Sequence, residues 1–256
     1  MWLVERHKHK LNYKDHMLKT IAIAGSKDLA KRIFENLLSC HEYKIIGICA
    51  PDDIDDPLHL SAVNNRYKIY NFKEIIALKP DIIFSINYWK IISLEDIQVM
   101  EGRIVNIHHS YRLMFRGRYS TSYAILYAKK NNFPYHGTTI HYIDNELDKG
   151  KIIDSRRCPI ALNDTAWTLF KKVEDLAFEM FFDNLQRIME NNIKNFIPLA
   201  EKQFFFSKRN NLELTIDNPE DIYDFVRAWS FPDKPRPYIK SGDYRIYLSL
   251  ESEKNE

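Results

Sequence analysis

PDIIFSINYWKIISLEDIQVMEGRIVNIHHS, residues 80–110, decides how the rest of the chain reads. IIFSI is apolar at nearly every position, as a strand buried on both faces requires. SLEDIQVM follows and reads as a helix. Gly102 then marks a turn, and RIVNIHHS is a second apolar strand. A buried strand, a helix and another buried strand imply a mostly parallel sheet covered on both faces.

The same alternation extends outward. KTIAIAG (19–25) is a strand and SKDLAKRIFENLLSC (26–40) an amphipathic helix, with Leu29, Ile33, Leu37 and Leu38 at helical spacing. EYKIIGICAP (42–51) is a second buried strand stopped by Pro51, YKIYNF (67–72) a short strand and FKEIIALK (72–79) a short helix. Beyond residue 119, TSYAILYAKKN reads as a helix. HGTTIHYIDNELDKGKIIDSRRCPI (136–160) reads as two strands around an acidic loop. DTAWTLFKKVEDLAFEMFFDNLQRIMENN (164–192) is a long amphipathic helix. A short helix (NPEDIYDFVRAW), a proline-rich turn and a final strand (DYRIYLSL) close the chain. The expected fold is α/β and Rossmann-like, with a small C-terminal α+β appendage. Residues 1–17 are expected to be an extension, 18–200 the main α/β domain and 201–256 the appendage.

Composition narrows the function. Lys plus Arg is 37 and Asp plus Glu 35, a net charge of +2, which does not suggest a dedicated nucleic-acid binder. Cys40, Cys49 and Cys158 have no CxxC spacing and read as reduced thiols. No apolar run approaches a membrane span, and MWLVERHKHKLNYKDH lacks the apolar stretch of a signal peptide. A cytoplasmic protein without membrane contact is expected. The chain has only seven glycines, and the turn AGSKD holds one of them, so the GxGxxG dinucleotide fingerprint is missing. Four glycines, 102, 117, 137 and 150, fall within 49 residues, which marks that stretch as the place where backbone turns tightly or approaches a ligand.

Asn106 and His108 sit two apart at the C-terminal end of a central strand, so they share a face where open α/β sheets hold ligands. An amide donor beside an imidazole suits stabilisation of an oxyanion together with proton transfer. A histidine or asparagine at a strand end is more often a satisfied structural group. In Asp144-Asn145-Glu146-Leu147-Asp148-Lys149-Gly150, one carboxylate is a candidate to orient the histidine; the plain alternative is an acidic hairpin loop. No metal site is visible: there is no HExxH, and His108 and His109 point to opposite faces.

These pieces together resemble the formyltransferases that use N10-formyltetrahydrofolate. N-I-H-H-S is followed by R-G at 116–117, H-G-T-T-I-H at 136–141 and L-D-K-G-K-I-I at 147–153. The family pattern is N-[IL]-H-x-S-L-L-P-x-x-R-G, G-x-T-x-H and L-D-x-G-x-I. The resemblance covers about residues 18–200 and implies Asn106, His108 and Asp148 as the catalytic set. FSINYWKII (84–92) is similar to the FSxxYxxxI that precedes the catalytic strand in amino-sugar formyltransferases. It implies Lys90, Ile91 and Ile92, with Asp144, Asn145, Glu146 and Leu147, as lining for the folate, mostly through main chain. Arg118 matches the arginine just after R-G and is assigned to the same site. The chain departs from the pattern at Tyr111-Arg112-Leu113, where the family has Leu-Leu-Pro.

The acceptor follows from the tail. RAWSFPDKPRPYIKSGDYRIYL (227–248) looks like the R-A-[FW]-x-F-P…P-x-A-Y segment of amino-sugar formyltransferases. Tyr111, Arg116, Trp229 and Tyr238 are then expected to line a sugar-nucleotide pocket, although Trp229 on an apolar helix face also reads as core. The tRNA enzymes of the family add a basic barrel, whereas 56 residues follow Ala200 here at near-zero net charge, which disfavours methionyl-tRNA. Glycinamide ribonucleotide, a formyl-folate hydrolase and a non-enzymatic folate binder are the remaining alternatives. The expectation is formyl transfer to a dTDP- or UDP-linked amino-dideoxy sugar for bacterial surface polysaccharide (O-antigen, lipopolysaccharide), by a homodimer without metal.

Overall fold

In a computed structural model, the structure describes residues 18–206, 212–214 and 221–251. The expected extension, 1–17, lies outside the described residues. In chain order the first half comprises β1 (Lys19–Gly25), α1 (Lys27–Leu37), β2 (Tyr43–Cys49), α2 (Pro57–Asn64), α3 (Phe72–Ala77), β3 (Ile82–Ile86), α4 (Leu94–Val99) and β4 (Ile104–His108). After a single 3-10 turn at Tyr111–Leu113 come β5 (Phe115–Gly117), α5 (Ser120–Lys130), β6 (Tyr135–Tyr142), β7 (Ile152–Pro159) and α6 (Ala166–Met189). The tail holds β8 (Phe204–Phe206), α7 (Ile222–Ala228), β9 (Tyr238–Ser241) and β10 (Tyr244–Tyr247).

The central sheet has the order β2-β1-β3-β4-β6-β7. The first four strands run parallel, and β6 and β7 add antiparallel pairs. Alternation along β1 shows both faces covered. Ile21 and Ile23 pack with α1, α2 and α6 through Leu29, Phe34, Leu58, Met180 and Phe181. Ala22 and Ala24 pack on the other face with Ile75, Ile76 and Ile97 of α3 and α4. This is the mostly parallel, doubly covered sheet that the apolar strands predict, and β4 lies in its interior.

Two local expectations change. YKIYNF is not a strand: only Ile69 bridges to Ile48. The helix α2 was not foreseen; its start is fixed by the Asp56 carboxylate, which accepts the amides of Leu58 and His59, with Pro57 in the first turn.

The tail folds against the core. β8 pairs in parallel with β5, joining Phe115, Arg116 and Gly117 to Phe204, Phe205 and Phe206. Phe115, Tyr123, Leu169, Val173, Ala228 and Trp229 form a second apolar cluster with Phe204 and Phe206 against it. The hairpin β9–β10 is a separate two-stranded sheet whose second strand is exposed along its length.

Candidate active site

β4 delivers Asn106 and His108 to one face. Ile104, Val105 and Ile107 are buried, while Asn106 and His108 are half-buried. Asn106 lies directly opposite His141 of β6, and His108 opposite Thr139. Asn106 Nδ2 donates to His141 Nε2 at 3.1 Å. His141 Nδ1 donates to the Tyr142 carbonyl at 2.9 Å, which leaves Nε2 as the acceptor. Burial holds His141 well below the usual imidazole range, at about 4, so the ring stays neutral at neutral pH. The neutral ring therefore fixes the orientation of the Asn106 amide. The β6–β7 register shifts here, from Ile140 opposite Asp154 to His141 opposite Ile152, so Ile153 of β7 is the extra residue of a bulge beside His141.

His108 and Asp148 meet above the same strand end. His108 Nε2 donates to the Phe115 carbonyl at 2.8 Å, which leaves the lone pair on Nδ1 in the neutral ring. Asp148 Oδ2 lies 3.7 Å from the same Nε2, within ion-pair reach but beyond a direct hydrogen bond. That oxygen accepts the Gly117 amide at 2.7 Å. Asp148 is 8% exposed and its backbone is left-handed, with φ of 51°. The turn that carries it is tightly boxed: a Cβ on Gly150 would lie 1.6 Å from the Tyr142 carbonyl oxygen, so no larger residue fits there.

The structure brings together Asn106, His108 and Asp148 and adds His141, which lay within HGTTIH but was not singled out. Its role needed the cross-strand register to become visible. The residues expected at the folate fall into three groups. Lys90, Ile91 and Ile92 form the loop after β3, with Ile91 84% exposed and Ile92 packed against the core. At the base of that loop, the buried Asn87 Nδ2 has no partner among the described residues, a donor left over for a ligand. Asp144, Asn145, Glu146 and Leu147 are exposed in the loop before Asp148, where Asp144 caps the Glu146 amide and Glu146 pairs with Lys149. Arg118 is exposed, its amide bonded to the Phe206 carbonyl at 2.8 Å.

The four residues assigned to the sugar-nucleotide pocket have different surroundings. Arg116 is engaged with protein: its Nε and Nη2 both donate to the Leu147 carbonyl, at 2.9 and 2.6 Å. Trp229 is 2% exposed and packs edge-on to Tyr119 and Tyr123, so burial makes it core. It also borders a cavity of about 320 Å³ with Phe231, Arg236 and Leu248, whose lining includes none of Asn106, His108 and Asp148. Tyr238 lies on β9 against Tyr247 and Arg245. The Tyr111 ring centroid lies 5.6 Å from Cζ of Arg157 on β7.

The departure at 111–113 has a physical basis. Arg112 and Leu113 both adopt left-handed backbone, with φ of 48° and 56°. A proline at 113 is locked near φ of −65° and does not fit this path. Arg112 instead donates to the carbonyls of Pro198 and Leu199 and sews the tail to the loop.

An amide donor, an imidazole with a free nitrogen and a carboxylate on one strand end are equipment for moving an acyl group between nitrogens. The family profile described as formyl transferase matches residues 53–185, just over half of the sequence, and the chain belongs to that family. Methionyl-tRNA formyltransferase of Pediococcus pentosaceus is 25% identical over 81% of this chain and 70% of its own length. The N-formyltransferase of Helicobacter canadensis, solved with folinic acid and dTDP-3-aminofucose, is 28% identical, with a TM-score of 0.72 over 84% of this chain and 81% of its own. WlaRD, a sugar 3N-formyl transferase solved with dTDP and 5-N-formyl-THF, is 26% identical, with a TM-score of 0.71 over the same shares. Among the described residues no helix is long and apolar enough to cross a membrane, and no group of three or more His, Cys, Asp or Glu is placed to hold a metal ion.

Proposed function

We propose that the chain transfers the formyl group of N10-formyltetrahydrofolate to the amine of a dTDP- or UDP-linked amino-dideoxy sugar, for bacterial surface-polysaccharide synthesis. The observation that carries the transfer is the His108–Asp148 approach of 3.7 Å beside an Asn106 amide held by His141. The choice of a sugar acceptor is supported by the 28% and 26% identical neighbours solved with dTDP-3-aminofucose and with dTDP.

The neutral amine attacks the formyl carbon, and a tetrahedral oxyanion forms. The second hydrogen of Asn106 Nδ2 stabilises it, since the first is bonded to His141. His108 takes the proton released by the amine and gives it to N10, with the Asp148 carboxylate stabilising the imidazolium between the two transfers. The bond from the formyl carbon to N10 breaks as the bond to the sugar nitrogen persists, giving a formamido sugar and tetrahydrofolate. The loops at 90–92 and 144–147, with Asn87, are the candidate folate lining. The protein acts as a homodimer in the cytoplasm.

The 25% identity to a methionyl-tRNA formyltransferase favours tRNA as the second acceptor. Purified protein incubated with N10-formyltetrahydrofolate and either a panel of nucleotide amino sugars or methionyl-tRNA separates them. A formylated sugar supports the proposal; formyl-methionyl-tRNA alone overturns it. Glycinamide ribonucleotide in the same panel, formate released without any acceptor, and folate bound with no turnover at all test the other three readings.

A further inference from the structure

Three consecutive residues of β5 each hold part of the site. The Phe115 carbonyl accepts a hydrogen bond from His108 Nε2, the Gly117 amide donates to Asp148 Oδ2, and the Arg116 guanidinium donates twice to the Leu147 carbonyl. Leu147 immediately precedes Asp148, whose left-handed backbone is a conformation a side chain rarely adopts without help. β5 is only three residues long and is braced from behind. Phe115 stacks on Phe204, the Phe204 amide donates to the Met114 carbonyl, and the Arg118 amide donates to Phe206. Gly117 has φ of 82°, and a Cβ there would meet the Phe206 carbonyl oxygen at 2.4 Å.

We infer that Arg116 is a positioning residue for Asp148 rather than a ligand of the sugar nucleotide. It fixes the peptide ahead of the aspartate, so that one carboxylate oxygen stays on the Gly117 amide and within ion-pair reach of His108. The tail contributes through β8, which holds the strand that holds the aspartate. This rests on the formyl-transfer reading of the site.

The test compares R116A, R116K, D148N and the double variant R116A/D148N in steady-state formyl transfer. R116A lowers kcat about 10- to 100-fold, the scale on which displacement of a catalytic group acts, and leaves KM for the sugar nucleotide near the parent value. R116K recovers part of the loss, because a single ammonium reaches the carbonyl without the planar fork. The double variant is no slower than D148N alone, since both changes act on one carboxylate. A raised KM with unchanged kcat, or losses that add in the double variant, overturns the inference. Hydrogen exchange of the Gly117 amide, read by NMR on folded protein, tests it without any acceptor. It speeds up in R116A while amides of the β4–β6 ladder stay protected; unchanged exchange at Gly117 also overturns the inference. A parent enzyme that formylates nothing defeats the functional reading, and the exchange measurement then still decides the role of Arg116.

Discussion

Asn106 and His141 face each other across adjacent antiparallel strands, joined by a 3.1 Å hydrogen bond in which the asparagine is the donor. Replacing the ring removes the acceptor that sets the amide. H141A lowers kcat about 10- to 100-fold, because the oxyanion donor is no longer fixed in advance. H141Q keeps an acceptor and loses less. Stopped assays with saturating folate, with circular dichroism as the check on folding, measure this; an H141A enzyme with parent kcat contradicts it.

Removing the proton-transfer group has the larger effect. H108A and D148A lose at least about 10²–10⁴-fold in turnover, the usual worth of one general acid–base group. H108A keeps its melting temperature within a few degrees of the parent, because the half-buried ring belongs to no apolar cluster. D148A also loses about 1–3 kcal/mol of stability, because the Gly117 amide loses its acceptor. Near-parent turnover in H108A removes the assignment.

Three buried histidines make stability depend on pH. Burial is the main cause that holds His109 and His136 at about 3 and His141 at about 4. Their values in the unfolded chain are near 6.5. Below 6.5 the unfolded chain binds protons that the folded chain does not, so stability is complete above that pH and falls as the pH drops. The full slope is about 1.4 kcal/mol per pH unit for each group. Urea midpoints between pH 7 and 5 decline accordingly, in a window above most carboxylate titrations. H136Q makes the decline shallower; a midpoint constant over that range contradicts the account.

Gly150 has no room for a methyl group. G150A drives a Cβ into the Tyr142 carbonyl, so the turn carrying Asp148 must shift. The expected cost is about 1–3 kcal/mol in stability together with a fall in kcat. Denaturant unfolding and steady-state rates read the two effects; a variant with parent values in both shows that the turn is not confined.

What the chain reveals before folding depends on how local each signal is. β1, β3 and β4 are legible because IAIA, IIFSI and IVNI are continuous apolar runs, and the pairing of Asn106 with His108 follows from period two alone. FRG and FFF are too short to carry any period, and residues 115 and 204 meet only through tertiary packing, so β5 and β8 could not be read. For the same reason the contact of Arg116 with the Leu147 carbonyl could not be read: nothing local connects the two. His141 stood in plain view, but its partner lies 35 residues away in the chain. The scarcity of glycine proved informative in a second way. Left-handed backbone at the site is carried by Arg112, Leu113, Tyr119 and Asp148 as well as by Gly117, and a side chain at such a position gives no warning in the sequence.

The central claim is formyl transfer to a nucleotide-linked amino sugar. Mass spectrometry of a panel of dTDP- and UDP-linked amino-dideoxy sugars, after incubation with the protein and N10-formyltetrahydrofolate, tests it most directly. The account predicts that one sugar gains a single formyl group with the parent protein and none with H108A. No gain on any sugar, with formate released or methionyl-tRNA formylated instead, contradicts it.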